Sequence, residues 1–271
     1  MARQKIQDVS FKSLFELRGG LPESTKTVIE ITGSILFLVV WFLISYFGLL
    51  PKKILPSPIE VVLSFKELHF EDALVRNTAH SIWLNCLGYI EAVAFSLPVG
   101  FIIGLFPLFR GLFERYVSAS RFIPLTAVTG VFIAWFGIET NMKVQFLAFG
   151  IIVYLLPVVV QRIDEVEDVY LQTVRTIGAT KWQTITTVFI PAVFSKISDD
   201  IRVLVAISWT YIIVAELVNK SGGIGALAYT AARQSRIDKV FAILIVIIFI
   251  GFVQDKIFRV LDKAVFPHKY I

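Results

Sequence analysis

One cysteine in 271 residues, Cys86, rules out an internal disulfide and a cysteine-held metal cluster. In its apolar run that cysteine reads as a small core residue. Histidine is nearly as scarce: His69, His80 and His268 are so far apart in sequence that a metal site would require the fold to gather them, and no metal is expected. No G-x-x-x-x-G-K-S/T run occurs, so the usual backbone cradle for ATP phosphates is missing and no cofactor is assigned to this chain. Charge is sparse, at 17% of residues, and no basic stripe with interleaved aromatics stands outside the apolar runs, so nucleic acid is not an expected partner. Nothing before Val28 reads as a cleavable leader, because the opening segment is long and polar and the first apolar run lacks a small-residue cleavage site.

What is abundant is apolar surface. Hydrophobic residues make up 56% of the chain and aromatics 14%, and the mean hydropathy is +0.75, too apolar for a water-soluble domain of this length. About 20 mostly apolar residues cross a bilayer. Six stretches qualify approximately: Val28 to Leu50, read as a retained signal anchor, then Ser81 to Phe106, Phe122 to Phe136, Val144 to Val160, Ile197 to Val218 and Val240 to Phe258, the third of them short. The expected fold is therefore all-α and polytopic, with a tail over residues 1–27 and one transmembrane unit over 28–271. The tail carries scattered charge and a Gly19-Gly20-Leu21-Pro22 break, and no function is assigned to it. With the N-terminus inside, 16 of the 26 Lys and Arg residues fall on the inner side, nine outside, and Arg202 within a span. That bias places both termini in the cytoplasm of a multi-pass plasma-membrane protein and accounts for the net charge of +5.

Two outer segments carry their own signals. Leu55-Pro56-Ser57-Pro58 breaks the chain, and Ile59, Val62, Leu63 and Leu68 predict a short amphipathic helix on the outer interface. Ser221-Gly222-Gly223-Ile224-Gly225 predicts tight turns before helical spacing resumes over Ala226 to Ala232.

The inner stretch about 162–192 is polar yet helix-forming, between two apolar spans. Ile163, Val166, Tyr170, Val174 and Ile177 recur at intervals of three and four, an apolar stripe opposite Asp164, Glu165, Glu167, Asp168 and Arg175. Gly178 stands where a helix C-cap needs positive φ, and Thr180-Lys181-Trp182-Gln183 reads as a capping box opening a second short helix. Trp182, Ile185 and Phe189 form that helix's stripe, and Pro191 predicts a break or kink. An amphipathic linker between membrane helices is the bland reading of this hairpin.

Gly178 and Pro191 also keep the interval of the cytoplasmic loop of ABC importer permeases, in which E-A-A, three residues, G, nine residues and I-x-L-P dock an ATPase. Gln172-Thr173-Val174 stands in the first triplet and Val188-Phe189-Ile190-Pro191 closes the motif. Gln172 departs from the family's glutamate, removing a carboxylate from the docking face. The Leu55-Pro56-Ser57-Pro58 entry, Arg121-Phe122-Ile123-Pro124-Leu125, Ala134-Trp135-Phe136-Gly137-Ile138, Ala215-Glu216, Gly223-Ile224-Gly225 and the Gly251 to Pro267 ending resemble one branch, the nitrate, sulfonate, taurine and bicarbonate permeases. The resemblance implies a type I importer (MetI-like) fold in a bacterial inner membrane, a second permease copy as a homodimer, two cytoplasmic ATPases binding ATP and Mg, and an external solute-binding protein. It implies no enzymatic activity for this chain, and gives Gln172, Gly178, Ala179, Thr180, Lys181, Trp182 and Pro191 to ATPase docking. The implied substrate is a small anion such as a sulfonate, nitrate or bicarbonate, with thiamine-precursor-like organic molecules as the alternative.

Polar residues within spans are costly in lipid and mark path or packing roles. Glu91, Arg202, Ser208 and Glu216 are the path candidates. Asp199 and Arg202, three apart, also read as an ion pair, Glu216 as a side chain snorkelling to the outer interface, Glu91 as an interhelix hydrogen bond, and Asn85, Ser208 and Trp209 as cavity lining or interhelix glue. A secondary transporter or channel working without a motor is the competing class. Pro98, Pro124 and Pro157 interrupt helices, but no paired broken halves mark an inverted repeat.

Overall fold

The computed structural model describes residues 15–17, 19–218 and 221–270, and the regular elements among them are all helical. Most of the tail expected over residues 1–27 lies outside the described residues. The chain runs through α1 (Glu23–Tyr46), α2 (Pro58–Phe70), α3 (Leu74–Leu105), α4 (Pro107–Ser120), α5 (Leu125–Phe136) and α6 (Thr140–Asp164). It continues through α7 (Asp168–Thr176), α8 (Lys181–Thr184), a π-helical turn (Ile185–Phe189), α9 (Ile190–Val218), α10 (Ile224–Arg233) and α11 (Ile237–Val265) to a 3₁₀ turn, Pro267–Tyr270. Among the described residues, five helical stretches are long and apolar enough to cross a membrane: α1, α3, α6, Lys181–Val218 and α11.

The sixth expected span is a broken one. The stretch Phe122 to Phe136 holds only the 12-residue α5, about 18 Å of helix against the roughly 30 Å of a bilayer core. Pro124 cannot donate a helical N–H, so α4 and α5 meet at 109° across residues 121–124. Helix α4 buries no residue and presents Leu108, Leu112, Phe113 and Tyr116 to its surroundings.

Helix α6 is the axis, with 14 buried residues. It is gripped by α3 through small residues spaced four apart: Gly88, Ala92, Ser96, Gly100 and Gly104. A Cβ on Gly100 would lie 2.5 Å from Val159 Cγ1, on Gly88 2.8 Å from the Val144 carbonyl, and on Gly104 2.5 Å from Ile163 Cδ1. Such close approach replaces the missing hydrophobic drive between helices in lipid with dense van der Waals packing. Gly150, on another face of α6, is covered by Tyr211 of α9 and Leu125 of α5. Large apolar side chains remain exposed along α1, α3 and α11, as a lipid-facing exterior requires.

Helix α2 and Cys86 depart from the sequence expectations. Helix α2 starts at the predicted break with a Ser57–Glu60 capping box, but it buries Val61, Ser64 and Leu68 while Ile59, Val62 and Leu63 face outward. Both faces are apolar because one meets the bundle and the other the membrane. Cys86 is exposed rather than a core residue, since α3 turns its small stripe, not this face, toward α6. Helix α1 buries nothing and is held near its end, where Trp41 Nε1 donates to the Pro56 carbonyl (2.9 Å) and its ring meets Phe241.

In purified protein, Gly100→Ala should lower the thermal unfolding midpoint in detergent relative to Gly111→Ala by an amount equivalent to roughly 1–3 kcal/mol. Gly111 has open space for a Cβ, so helix propensity is matched between the two variants and equal midpoints would refute the close-packing account.

Candidate functional site

The hairpin forms where its local signals place it. Helix α7 closes with Gly178 N–H on the Arg175 carbonyl (3.0 Å) and Ala179 N–H on the Val174 carbonyl (3.0 Å), and Gly178 takes φ +78. Thr180 then restarts the chain: its hydroxyl accepts from Gln183 N–H (3.3 Å), while its own N–H donates to Gln183 Oε1 (2.8 Å). Thr184 and Thr187 donate back to the Thr180 (3.0 Å) and Gln183 (2.6 Å) carbonyls. Thus the turn is fixed by hydrogen bonds within itself, since neither α7 nor α8 has a buried residue.

The helix does not break at Pro191. A π-helical turn over Ile185–Phe189 absorbs the altered hydrogen bonding just before the proline, and α9 runs on to Val218. Burial splits each predicted stripe. Ile163 is buried and Val166 and Val174 half-buried, while Tyr170 and Ile177 are exposed; Ile185 and Phe189 are half-buried and Trp182 is 71% exposed. Gln172, Gly178, Thr180, Lys181, Trp182 and Pro191 are likewise exposed, and Ala179 is half-buried. A cavity of about 610 Å³ separates the hairpin from residues 104–107, lined by Asp168, Arg175, Lys181 and Phe189 among others.

The root of the hairpin is ionic. Arg162 donates to both oxygens of Asp200 (2.7 and 2.8 Å) and to Glu165 (2.7 Å), and Lys196 reaches Glu165 at 3.5 Å. The hydrogen bond from Arg162 holds the Glu165 carboxyl below the ordinary carboxylate range. Lys269 ties the chain's last turn to the same end through Ser198 (2.7 Å), Asp199 (3.1 Å) and Asp262 (3.1 Å).

The four path candidates do not converge. Glu91 is exposed on α3 and accepts from Gln145 Nε2 (3.0 Å), an interhelix hydrogen bond. Arg202 pairs with Asp255 of α11, which also takes Arg259 (2.9 Å), instead of with Asp199; the tertiary partner overrides the i,i+3 one because Lys269 claims Asp199. Ser208 is buried and donates to Asn85 Oδ1 (2.9 Å), and Trp209 Nε1 donates to Gln254 (2.6 Å).

Glu216 does not snorkel: it is fully buried. Its carboxylate accepts from Ser81 Oγ and from Gly225 N–H (2.7 Å), and Ser81 Oγ in turn accepts from Ile224 N–H (2.8 Å). The carboxylate therefore caps the N-terminus of α10, where amide dipoles favour negative charge. Only glycine fits here, since a Cβ on Gly223 (φ +105) would lie 2.2 Å from Glu216 Cδ. Lys143, 1% exposed, stands nearby with Nζ 3.3 Å from Ser221 Oγ. Sequence reasoning does not bring Lys143 and Ser81 into this cluster, though a carboxylate seven residues before a Gly-Ile-Gly turn is a signal for it.

Residues 96–267 match the family model described as binding-protein-dependent transport system inner membrane component. A Bacillus subtilis (strain 168) chain named for aliphatic sulfonates transport, the permease protein SsuC, is 31% identical over 233 residues, covering 83% of this chain and 82% of the relative. The taurine transport system permease protein TauC of Escherichia coli (strain K12) is 26% identical over 251 residues, covering 91% of each. Among solved structures, an inward-facing MetNI methionine ABC transporter chain superposes with TM-score 0.63 at 16% identity, over 71% of this chain and 95% of that one. A chain of a bacterial ABC transporter for alginate import gives TM-score 0.56 at 16% identity, over 90% and 98%. The fold is that of MetI-type importer permeases.

Glu216→Ala should leave Ser81 and the Gly225 N–H without their buried acceptor, at about 1–3 kcal/mol for each unpaired group. Size-exclusion recovery after mild heating should drop for Glu216→Ala and much less for Glu216→Gln, whose amide oxygen can still accept. Equal recovery of Glu216→Ala and unaltered protein would exclude the capping role.

Proposed function

The chain belongs to the family of binding-protein-dependent transport system inner membrane components, and from that premise we propose that it forms the membrane path of an ATP-driven importer for small organic sulfonates. Two of its relatives carry aliphatic sulfonates and taurine in their names, which supports this class over nitrate or bicarbonate. In this reading two copies pair in the bilayer, two cytoplasmic ATPase subunits hold ATP and Mg, and an external binding protein delivers the solute. The inner side is the hairpin side, where the final turn is tied to α9 by Lys269 and the excess of Lys and Arg collects.

The single observation that carries the proposal is the exposed, self-capped hairpin. A segment that buries nothing ought to fray unless its turn is fixed locally, and here Gly178, Thr180 and Gln183 fix it while Ile177 and Trp182 stay 78% and 71% exposed. That is the form of a knob shaped for a partner's groove. Closure of the ATPase pair on ATP would press the knobs toward each other, and the Arg162–Asp200 and Lys196–Glu165 links would carry the displacement into α6 and α9. The α3–α6 contact moves as a unit, so displacement at the hairpin end opens or shuts the far end, and hydrolysis resets it. Gln172, in place of the family's glutamate, offers the ATPase a hydrogen bond and no charge.

Gly178→Val should abolish binding-protein-stimulated ATP hydrolysis and sulfonate uptake in the reconstituted complex, because φ +78 is closed to a β-branched residue. The purified Gly178→Val permease should keep its folded yield. Uptake within twofold of the unaltered complex would remove the hairpin from the coupling path.

A further inference from the structure

We propose that the chain holds an anionic phospholipid of the inner leaflet between its hairpin and α3, with the acyl chains in an apolar groove and the phosphate among the hairpin's cations. The inference rests on the chain spanning a membrane and not on the solute it carries. The groove, of about 580 Å³, is floored by Ala94, Leu97, Pro98, Phe101, Ile102 and Leu105, which recur at spacings of three and four on a single face of α3. Ile185, Ile190 and Phe194 close it across from them, with the Phe101 and Phe194 ring centroids 6.1 Å apart. From Ala94 to Leu105 is about 16 Å of helix, the depth of one leaflet in a hydrocarbon core of roughly 30 Å.

At its inner end the groove opens into the hairpin's own cavity. Leu105, Phe106 and Ile185 line both, so the two form one cleft. No charged side chain lines the apolar part, whereas Asp164, Asp168, Arg175 and Lys181 line the other. Arg110 answers Asp164, which leaves Arg175 and Lys181 against Asp168 alone, an excess of positive charge. Both cations are exposed, and among the described residues neither has a carboxylate within ion-pairing distance.

A cleft with an apolar limb and a basic end has the polarity of a phospholipid. Basic pockets between spans on the inner side take anionic head groups, and Arg175 with Lys181 would give a phosphate both a planar fork and a point charge. A zwitterionic lipid answers the excess charge less well, because its own ammonium already offsets its phosphate. Trp182 lines the groove while 71% exposed, as an indole ring at head-group level does. The lipid also supplies what the hairpin lacks: α7 and α8 bury no residue, and an occupant of the cleft braces them against α3.

The test is native mass spectrometry of the purified full-length chain given an equal mixture of phosphatidylglycerol and phosphatidylethanolamine with matched tails. The unaltered protein should retain phosphatidylglycerol at least fivefold over phosphatidylethanolamine. R175Q/K181Q should bring that ratio within twofold of unity, while R115Q/K263Q, which removes two exposed cations outside the cleft, should keep it. A94W, at an exposed position of α3, should lower retention of both lipids at least threefold by filling the apolar limb. An unaltered protein without selectivity, R175Q/K181Q with selectivity unchanged, or A94W with retention unchanged overturns the inference. So does phosphatidylglycerol that binds monomers but not dimers, which would give the groove to a second copy, or that leaves when ATPase subunits are added, which would give the two cations to docking alone.

Discussion

The close contact between α3 and α6 is the constraint from which the rest of the molecule takes its place. In lipid no hydrophobic gain favours helix pairing over helix solvation, so two helices stay together only where their surfaces fit densely. The run Gly88, Ala92, Ser96, Gly100 and Gly104 meets Val144, Leu147, Val159 and Ile163 along most of a bilayer's thickness. Once α6 is held there, its other faces orient α9 and α5 through Gly150, and both its ends acquire duties. The Asp164 end carries the ionic root of the hairpin, and the Thr140 end brings Lys143 beside the Glu216 cap.

These two ends are stabilised in opposite ways. The Glu216 cluster is buried and satisfies its polar groups through tertiary partners, with Ser81, Gly225 and Glu216 drawn from three elements. The hairpin satisfies its backbone from within ten residues and leaves its surface open. A segment that keeps its shape without burial has to supply its own hydrogen bonds, and the capping box and left-handed glycine do so at modest cost.

That difference also explains what is legible in the sequence. Hydropathy locates five of the spans, and the Gly178 turn and the Thr180 box are plain in the residue order because caps are local chemistry. The third span misleads because an apolar stretch does not report its own bend; Pro124 is visible, but the 109° angle depends on how α5 seats against α6. Partners of charges that meet across helices are illegible in principle. Nothing near Arg202 points to Asp255, 53 residues on, and Glu216 resembles a snorkelling carboxylate until the Gly223 to Gly225 turn folds over it. The small-residue stripe of α3 stands at strict spacing of four, yet nothing in it names the helix it faces, so its role emerges only with α6 laid against it.

The π-helical turn at Ile185–Phe189 sets a phase. In an unbroken α-helix, Trp182 and Phe189, seven apart, would share a face; each residue advances the helix by about 100°. The wide turn shifts that relation, so Phe189 looks inward to the bundle while Trp182 looks out. The aim of the hairpin tip thus depends on the residue count between Thr180 and Pro191 as well as on the capping residues that fix its turn. A gain or loss of one residue between Thr180 and Pro191 would swing the tip by more than a quarter turn.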